Sequence, residues 1–121
     1  MNNEQGIFEH VQDIIERNIP VIVEGKQDAR ALRSLGIQRI VEMDAYFKVV
    51  DKLANEREVS ILVDLDHEGR KIYARLNDEF SRHGIKVNNG LRHFLFKETK
   101  IRQIEGLDKS YAKEAGQAAY G

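Results

Sequence analysis

The sequence of 121 residues has no cysteine, a single proline and no long apolar run. The absence of cysteine excludes disulfide bonds, thiolate metal sites and cysteine nucleophiles. No charged start followed by an apolar segment and a small-residue cleavage site marks a signal peptide. No segment approaches the ~20 apolar residues of a transmembrane helix. We therefore expect a soluble, cytoplasmic protein that does not enter the membrane, folded as one domain over residues 1–121.

The chain also has little net charge, −1, but its charges are unevenly distributed. Residues 1–66 carry 8 Lys/Arg against 13 Asp/Glu, whereas residues 67–102 carry 9 Lys/Arg against 4 Asp/Glu. An acidic site beside a basic surface suits a phosphate-bearing polymer that meets a metal ion. Two amphipathic helices with Lys and Arg on their solvated faces would give the same distribution.

Apolar periodicity predicts alternating helices and strands. Helices are expected over residues 4–17, 28–35, 45–57 and 68–83, and strands over residues 21–24, 37–43, 59–63 and 85–87. Residues 91–96 fit a helix or a strand, and the Ala-rich residues 109–121 fit a helix. The alternation indicates an α/β fold, a Rossmann-like parallel sheet of about four strands with helices on both faces. Its core is expected over about residues 19–90, with an N-terminal helix (4–17) and a C-terminal extension (91–121).

Two of the predicted strands end in carboxylates, forty residues apart. Glu24 follows Val-Ile-Val and precedes Gly25, and Asp64 and Asp66 follow Ile-Leu-Val and precede Gly69. Both segments have the order apolar strand, carboxylate, glycine-containing turn and helix. The carboxyl ends of parallel strands lie at one edge of a sheet, where ligands usually bind. The three carboxylates are therefore expected to lie close together.

The spacing of Asp64 and Asp66 suggests a metal site. Side chains two residues apart in extended chain point the same way. Two such carboxylates repel each other unless a cation or a proton lies between them. Their oxygen atoms suit Mg²⁺, with Mn²⁺ as a possible substitute. A pair of turn or helix-capping aspartates would give the same pattern.

The residues around these carboxylates suggest further roles. Glu24, a carboxylate beside other carboxylates, is a candidate general acid or base and a candidate third metal ligand. Lys26 and Arg70 begin the helices that follow and would lie near a bound phosphate. Asp28 fits a helix cap, and it also fits a group that orients Lys26 or a metal-bound water.

Other positions allow two interpretations each. His67 fits a phosphate contact or an exposed turn residue. Asp44, at the end of the second strand, fits an accessory acid or a helix cap. The basic run from Arg92 to Arg102, with Phe94 and Phe96 interleaved, is typical of a nucleic-acid surface and equally of a half-buried edge element.

Together, the two carboxylate segments resemble the Toprim domain of topoisomerases, bacterial-type primases and certain nucleases. The family pattern is a strand ending in Glu-Gly with a nearby Asp, then a strand ending in Asp-x-Asp with a glycine shortly after. Residues 24–28 (Glu-Gly-Lys-Gln-Asp) and residues 64–69 (Asp-Leu-Asp-His-Glu-Gly) match it. The Glu-Gly-Lys-x-Asp form is similar to the branch of primases and 5S ribosomal RNA maturation nucleases. The resemblance covers about residues 19–90.

The resemblance implies phosphoryl transfer on nucleic acid, RNA or DNA, with Mg²⁺ as cofactor. It assigns the general acid or base to Glu24 and the metal ligands to Asp64 and Asp66. No tyrosine has a catalytic setting, which disfavours a topoisomerase, and a primase would require further machinery. A nuclease or a processing module remains, with a protein partner as a possible source of substrate recognition.

Three alternatives stay open at this stage. The first is a nucleic-acid-binding or scaffold module that keeps a metal site without turnover. The second is a phosphohydrolase with Asp64 as nucleophile, although the usual first-strand position and nearby Thr or Ser are missing. The third is a receiver-like domain, which requires a lysine on the last strand, and Lys86 fits that position poorly.

Overall fold

In the computed structural model, which describes residues 6–109 and 111, helices and strands alternate along the chain. The helices are α1 (Ile7–Arg17), α2 (Lys26–Ser34), α3 (Tyr46–Lys52), α4 (His67–Arg82) and α5 (Gly90–Glu98), followed by a 3-10 turn at Ile104–Gly106. The strands are β1 (Val21–Val23), β2 (Ile40–Glu42), β3 (Glu58–Ile61) and β4 (Lys86–Asn88). None of the helices in these ranges has the length and apolar character needed to cross a membrane.

The four strands form one parallel sheet in the order β2-β1-β3-β4. The two central strands are paired with Val21 opposite Ser60 and Ile22 opposite Ile61. The predicted α/β fold with about four parallel strands is therefore confirmed, and it is compatible with a Rossmann-like arrangement. The sheet order makes β1 and β3 neighbours, and these are the strands that precede Glu24 and Asp64.

Helices cover both faces of the sheet because the strand side chains alternate between two apolar clusters. Val21 and Val23 pack in a cluster with residues of α1, α2 and α5. Ile22, between them, packs in the other cluster with residues of α3 and α4, including Phe80. Both faces of β1 are fully buried, as is typical of parallel strands.

Among the described residues, two predicted boundaries differ from the structure by three residues or more, and the others differ by no more than two. The second strand begins at Ile40 instead of residue 37, because the Ile37 N–H bonds back to the Leu32 carbonyl at 3.2 Å and so belongs to the end of α2. The third helix ends at Lys52 instead of residue 57. Helix α1 begins at Ile7, and residues 4 and 5 of the predicted helix lie outside the described residues.

The C-terminal part of the chain contributes to the core. Residues 91–96 lie in a helix, α5, which decides between the two predicted alternatives. Leu91, Leu95, Ile104 and Leu107 are buried in the same cluster as α1 and α2. Buried side chains of the hydrophobic core therefore also lie beyond residue 90. The helix predicted over residues 109–121 lies outside the described residues, except for positions 109 and 111.

The two-sided core can be tested with one buried and one exposed phenylalanine. Phe80 is 0% exposed on α4, whereas Phe47 is 70% exposed on α3. We expect Phe80→Ala to lower the free energy of unfolding by ~3–5 kcal/mol, since it leaves a cavity. Phe47→Ala is the control and should change it by less than ~0.5 kcal/mol. Urea unfolding measures both, and similar losses for the two variants would contradict the described packing.

Candidate functional site

A hydrogen bond joins the carboxyl ends of the two central strands. The backbone N–H of Asp64, beyond β3, donates to Oε2 of Glu24, beyond β1, at 2.8 Å. The bond exists because β1 and β3 are adjacent and parallel, so their ends reach the same edge of the sheet. The structure therefore brings Glu24 and Asp64 together across forty residues of sequence.

Asp64 is held by two later segments as well. Its Oδ1 accepts a hydrogen bond from the backbone N–H of Ile104 at 2.9 Å. Its carbonyl oxygen accepts one from Nη2 of Arg92 at 3.0 Å. With the bond to Glu24, these contacts fix the backbone and the side chain of Asp64 from three directions.

Asp66 begins helix α4. It is the N-cap residue, and its Oδ1 accepts a hydrogen bond from the Gly69 N–H at 2.8 Å. Leu65 is buried in the core between the two aspartates, so the alternation of side chains leaves Asp64 and Asp66 outside the core. Asp66 is exposed and Asp64 is partly buried.

The two predicted turn glycines differ in what the structure requires of them. A Cβ at Gly69 would lie 1.8 Å from the carbonyl oxygen of Asp64, so only glycine allows α4 to pack this closely on the end of β3. Gly69 lies inside α4, so its role is this close approach. Gly25 has extended backbone with φ −156°, and a Cβ there would have no atom within 4 Å.

Asp28 is a buried acid at the start of α2. It is 7% exposed, and its Oδ2 accepts a hydrogen bond from the Gly25 N–H at 3.3 Å. Burial raises the pKa of this carboxyl, and the negative charge of Asp64 raises it further. Asp28 therefore caps the helix and also lies within electrostatic reach of Asp64.

Glu24 has an environment that favours its protonated form. Burial is the main cause that raises its pKa, and the hydrogen bond from Asp64 opposes this effect. The negative charges of Asp64, Asp66 and Asp28 raise the pKa further. Four acidic side chains therefore influence one another at this edge of the sheet, and Glu24 and Asp28 are the two whose raised pKa makes them hold a proton more readily than usual.

Arg92 also belongs to this site, although the sequence alone did not connect it with the carboxylates. Its guanidinium lies 4.4 Å from the centre of the Tyr73 ring and, as noted, bonds to the Asp64 carbonyl. Burial lowers the pKa of Arg92, while the nearby charges of Glu24 and Asp64 favour its cationic form. The signal in the sequence was the basic and aromatic run that contains Arg92, but the run does not show which cation reaches the acids.

The remaining candidate residues are exposed. Lys26 begins α2, and His67 and Arg70 lie in the first turn of α4. Asp44 accepts a hydrogen bond from the Ala45 N–H at 2.8 Å and pairs with Lys48 at 3.9 Å. The N-cap of α3 is Ala45, so the predicted capping position of Asp44 is wrong by one residue.

The carboxylates do not form a ready metal cage. Among residues 6–109 and 111, no group of three acidic or histidine side chains is placed to hold a metal ion. Each aspartate of the pair uses Oδ1 in a hydrogen bond to the backbone, which leaves Oδ2 for a ligand. Mg²⁺ commonly takes one or two carboxylates and completes its shell with water. Oδ2 of Asp64 and Oδ2 of Asp66 are the oxygens that would be available to such an ion, whereas a three-carboxylate site that includes Glu24 would require a rearrangement.

Comparison with known proteins gives the family. No family model matches the chain. It is 35% identical over 113 residues to the UPF0292 protein MJ1624 of Methanocaldococcus jannaschii, covering 83% of this chain and 88% of that protein. The chain belongs to the UPF0292 family. A second UPF0292 protein, TV1259 of Thermoplasma volcanium, is 31% identical over 102 residues, which is 80% of this chain and 86% of that protein.

A solved structure supports the fold of this UPF0292 chain. A protein from Aquifex aeolicus superposes with a TM-score of 0.76 at 30% sequence identity. The match covers 84% of this chain and 98% of the Aquifex chain. The four-stranded α/β architecture is therefore shared with that protein.

The close approach at Gly69 can be tested by adding one methyl group. We expect Gly69→Ala to lower the free energy of unfolding by ~3 kcal/mol, since the new Cβ would overlap the Asp64 carbonyl. Gly25→Ala is the matched control at the other helix start, and it should change stability by less than ~1 kcal/mol. Chemical denaturation of both variants measures this. A Gly69→Ala variant as stable as Gly25→Ala would show that α4 does not pack here as described.

The raised pKa of Glu24 predicts a pH-dependent effect of its charge. The proton on Glu24 stabilises the fold below its unfolded pKa, and this contribution is lost as the pH rises through the higher folded pKa. Glu24→Gln keeps an oxygen acceptor for the Asp64 N–H and removes the charge. In EDTA, it should therefore raise the thermal midpoint at neutral pH, and the gain should vanish below about pH 4.

Glu16, an exposed carboxylate on α1, provides the control for this pH series. Glu16→Gln should show no comparable change of its effect between neutral and acidic pH. If Glu24→Gln raises the thermal midpoint by the same amount at neutral and acidic pH, the raised pKa of Glu24 is contradicted.

Proposed function

We propose that this UPF0292 protein is a Toprim-like, Mg²⁺-dependent phosphoryl-transfer enzyme that acts on nucleic acid in the cytoplasm, as a nuclease or an RNA- or DNA-processing module. The supporting observation is the Glu24 carboxylate, bonded to the Asp64 N–H and raised in pKa beside Asp64, Asp66 and Asp28. Acidic groups gathered at the carboxyl ends of adjacent parallel strands are typical of a ligand site in an open α/β sheet.

The proposed reaction divides the work among three groups of side chains. The free oxygens of Asp64 and Asp66 would hold Mg²⁺, which when bound neutralises phosphate charge and orients water. Glu24 transfers the proton, since a carboxyl with a raised pKa is better matched to acid-base work near neutral pH. Lys26 and Arg70, exposed in the first turns of α2 and α4, place positive charge where phosphate oxygens gain negative charge.

The charge distribution supports a polymeric phosphate substrate. The acidic residues at the site are bordered on the α4 and α5 side by Arg70 and Arg92, and residues 67–102 carry 9 Lys/Arg against 4 Asp/Glu. A basic surface gives sequence-independent attraction to nucleic acid. Whether a protein partner supplies further recognition is tested by comparing the chain alone with cell extract in the same assay.

A second candidate is a nucleic-acid-binding or scaffold module without turnover. It is favoured by the hydrogen bonds that tie Asp64 and Asp66 to the backbone, and by the lack of a three-ligand group within the described ranges. In this case the acids would serve to position Arg92 and the start of α4. The two candidates differ in whether products form.

The proposed activity predicts metal-dependent cleavage that requires Glu24. Purified protein should cleave structured RNA or nicked DNA in Mg²⁺ and in Mn²⁺, and EDTA should abolish the cleavage. Glu24→Gln should lower the rate by ~10²–10⁴-fold, the usual contribution of a general acid or base. Asp64→Asn should raise the Mg²⁺ concentration required, and Glu16→Gln should have no effect. Gel electrophoresis of end-labelled substrates measures the wild type and the three variants.

Two results would count against this function. If wild type and Glu24→Gln cleave at equal rates, the activity belongs to a contaminant. If the protein binds the substrates without forming products at any Mg²⁺ or Mn²⁺ concentration, the binding module is the correct function.

A further inference from the structure

A cavity of about 290 Å³ lies between α4 and α5, beside the acidic site. Its walls carry two arginines, three side chains with aromatic rings and one amide. They are Arg70, Arg92, Tyr73, His93, Phe96 and Asn89. Arg92 connects the cavity to the acids, because its Nη2 donates to the carbonyl oxygen of Asp64. A ligand in the cavity would therefore lie next to the place proposed for the reaction.

Arg92 presents a fixed positive charge to this cavity. The Tyr73 ring and the Asp64 carbonyl hold its guanidinium in one orientation. Its Nε is buried and has no hydrogen-bond partner, and no carboxylate among the described residues forms an ion pair with it. A guanidinium that has no carboxylate partner is suited to an anionic ligand.

Arg70 adds a second charge to the same wall. It is exposed in the first turn of α4 and likewise has no ion pair in the ranges the structure describes. The positive charge of Arg70 is close enough to lower the pKa of Arg92, after the larger effect of burial. Two neighbouring guanidinium groups without carboxylate partners are suited to bind a phosphate group.

Phe96 supplies an aromatic surface at the cavity. Phe96 is 49% exposed, and the guanidinium of Arg102 lies 5.1 Å from its ring centre. Exposed aromatic rings beside guanidinium groups are the usual means by which proteins bind unstacked bases.

We propose that this cavity binds one unpaired nucleotide of a nucleic-acid strand, with the base on Phe96 and its phosphate between Arg70 and Arg92. This rests on the proposed function, because the same strand would then continue past Arg92 to the acids. A base inside a duplex is stacked on both faces and cannot enter such a cavity. The proposal therefore favours single-stranded or frayed nucleic acid, such as a loop of structured RNA or the frayed end at a nick, and a fully paired duplex without a nick is a poor ligand.

The test is a binding measurement on the full chain in EDTA, which separates binding from catalysis. A short fluorescein-labelled single strand is titrated by anisotropy, and a blunt duplex of the same sequence competes. Phe96→Ala should weaken binding of the single strand by ~5- to 100-fold, the range for loss of one stacked base. Phe96→Tyr keeps a ring and should bind within ~2-fold of wild type. Phe47→Ala, which removes the other exposed phenylalanine, should have no effect.

Two further measurements sharpen the test. The duplex should compete at least ~10-fold less well than the unlabelled single strand, since it lacks the stacking contribution. Arg70→Ala should reduce the slope of log K against log salt by ~0.7, the value for one phosphate contact on a single strand. Thermal melting verifies that each variant is folded.

The outcomes separate this inference from the proposed function. The inference is overturned if Phe96→Ala binds like Phe47→Ala, if the duplex competes as well as the single strand, or if wild type does not bind. If the binding tests give one of these results while cleavage still depends on Mg²⁺ and Glu24, the proposed enzymatic function is supported and the nucleotide-binding cavity is wrong. If binding depends on Phe96 but no cleavage occurs, the nucleotide-binding cavity is supported and the proposed enzymatic function is wrong.

Discussion

The hydrogen bond from the Asp64 N–H to the Glu24 carboxylate is the constraint on which the site depends. It forms only because β1 and β3 are adjacent and parallel. It keeps Glu24 partly buried, which is the main cause of its raised pKa, and close to Asp64, Asp66 and Asp28, whose charges raise the pKa further. The fold thus holds a carboxylate at one edge of the sheet in an environment where its negative charge is unfavourable. A bound cation or a proton would reduce this unfavourable free energy, which we call the electrostatic strain of the site. This strain is what links the architecture to the proposed chemistry.

Other parts of the chain support that strained arrangement. Gly69 lets α4 approach the Asp64 carbonyl, and Ile104 and Arg92 bond to Asp64 from segments that follow the sheet. These contacts depend on the part of the core that lies beyond residue 90. The C-terminal segments pack Leu91, Leu95 and Ile104 under the sheet, and the same packing brings their polar groups to Asp64.

Local patterns predicted the fold well and the site in part. The apolar runs before Glu24 and Asp64 define β1 and β3 because buried parallel strands are continuously apolar. The contacts made by Arg92 and Ile104 could not be predicted, since they depend on how α5 and the following turn pack, 28 and 40 residues beyond Asp64. The sequence predicted carboxylates at the carboxyl ends of two strands, but it could not show that these strands are neighbours or that backbone hydrogen bonds occupy one oxygen of each aspartate.

Diffraction from crystals soaked in Mn²⁺ tests the central claim most directly, because the anomalous signal locates the ion. We predict one Mn²⁺ in direct contact with the free oxygens of Asp64 and Asp66, mostly hydrated, with Glu24 within reach of a bound water. Saturating Mn²⁺ that leaves this edge of the sheet without anomalous density, or density bound only elsewhere on the chain, would contradict the account.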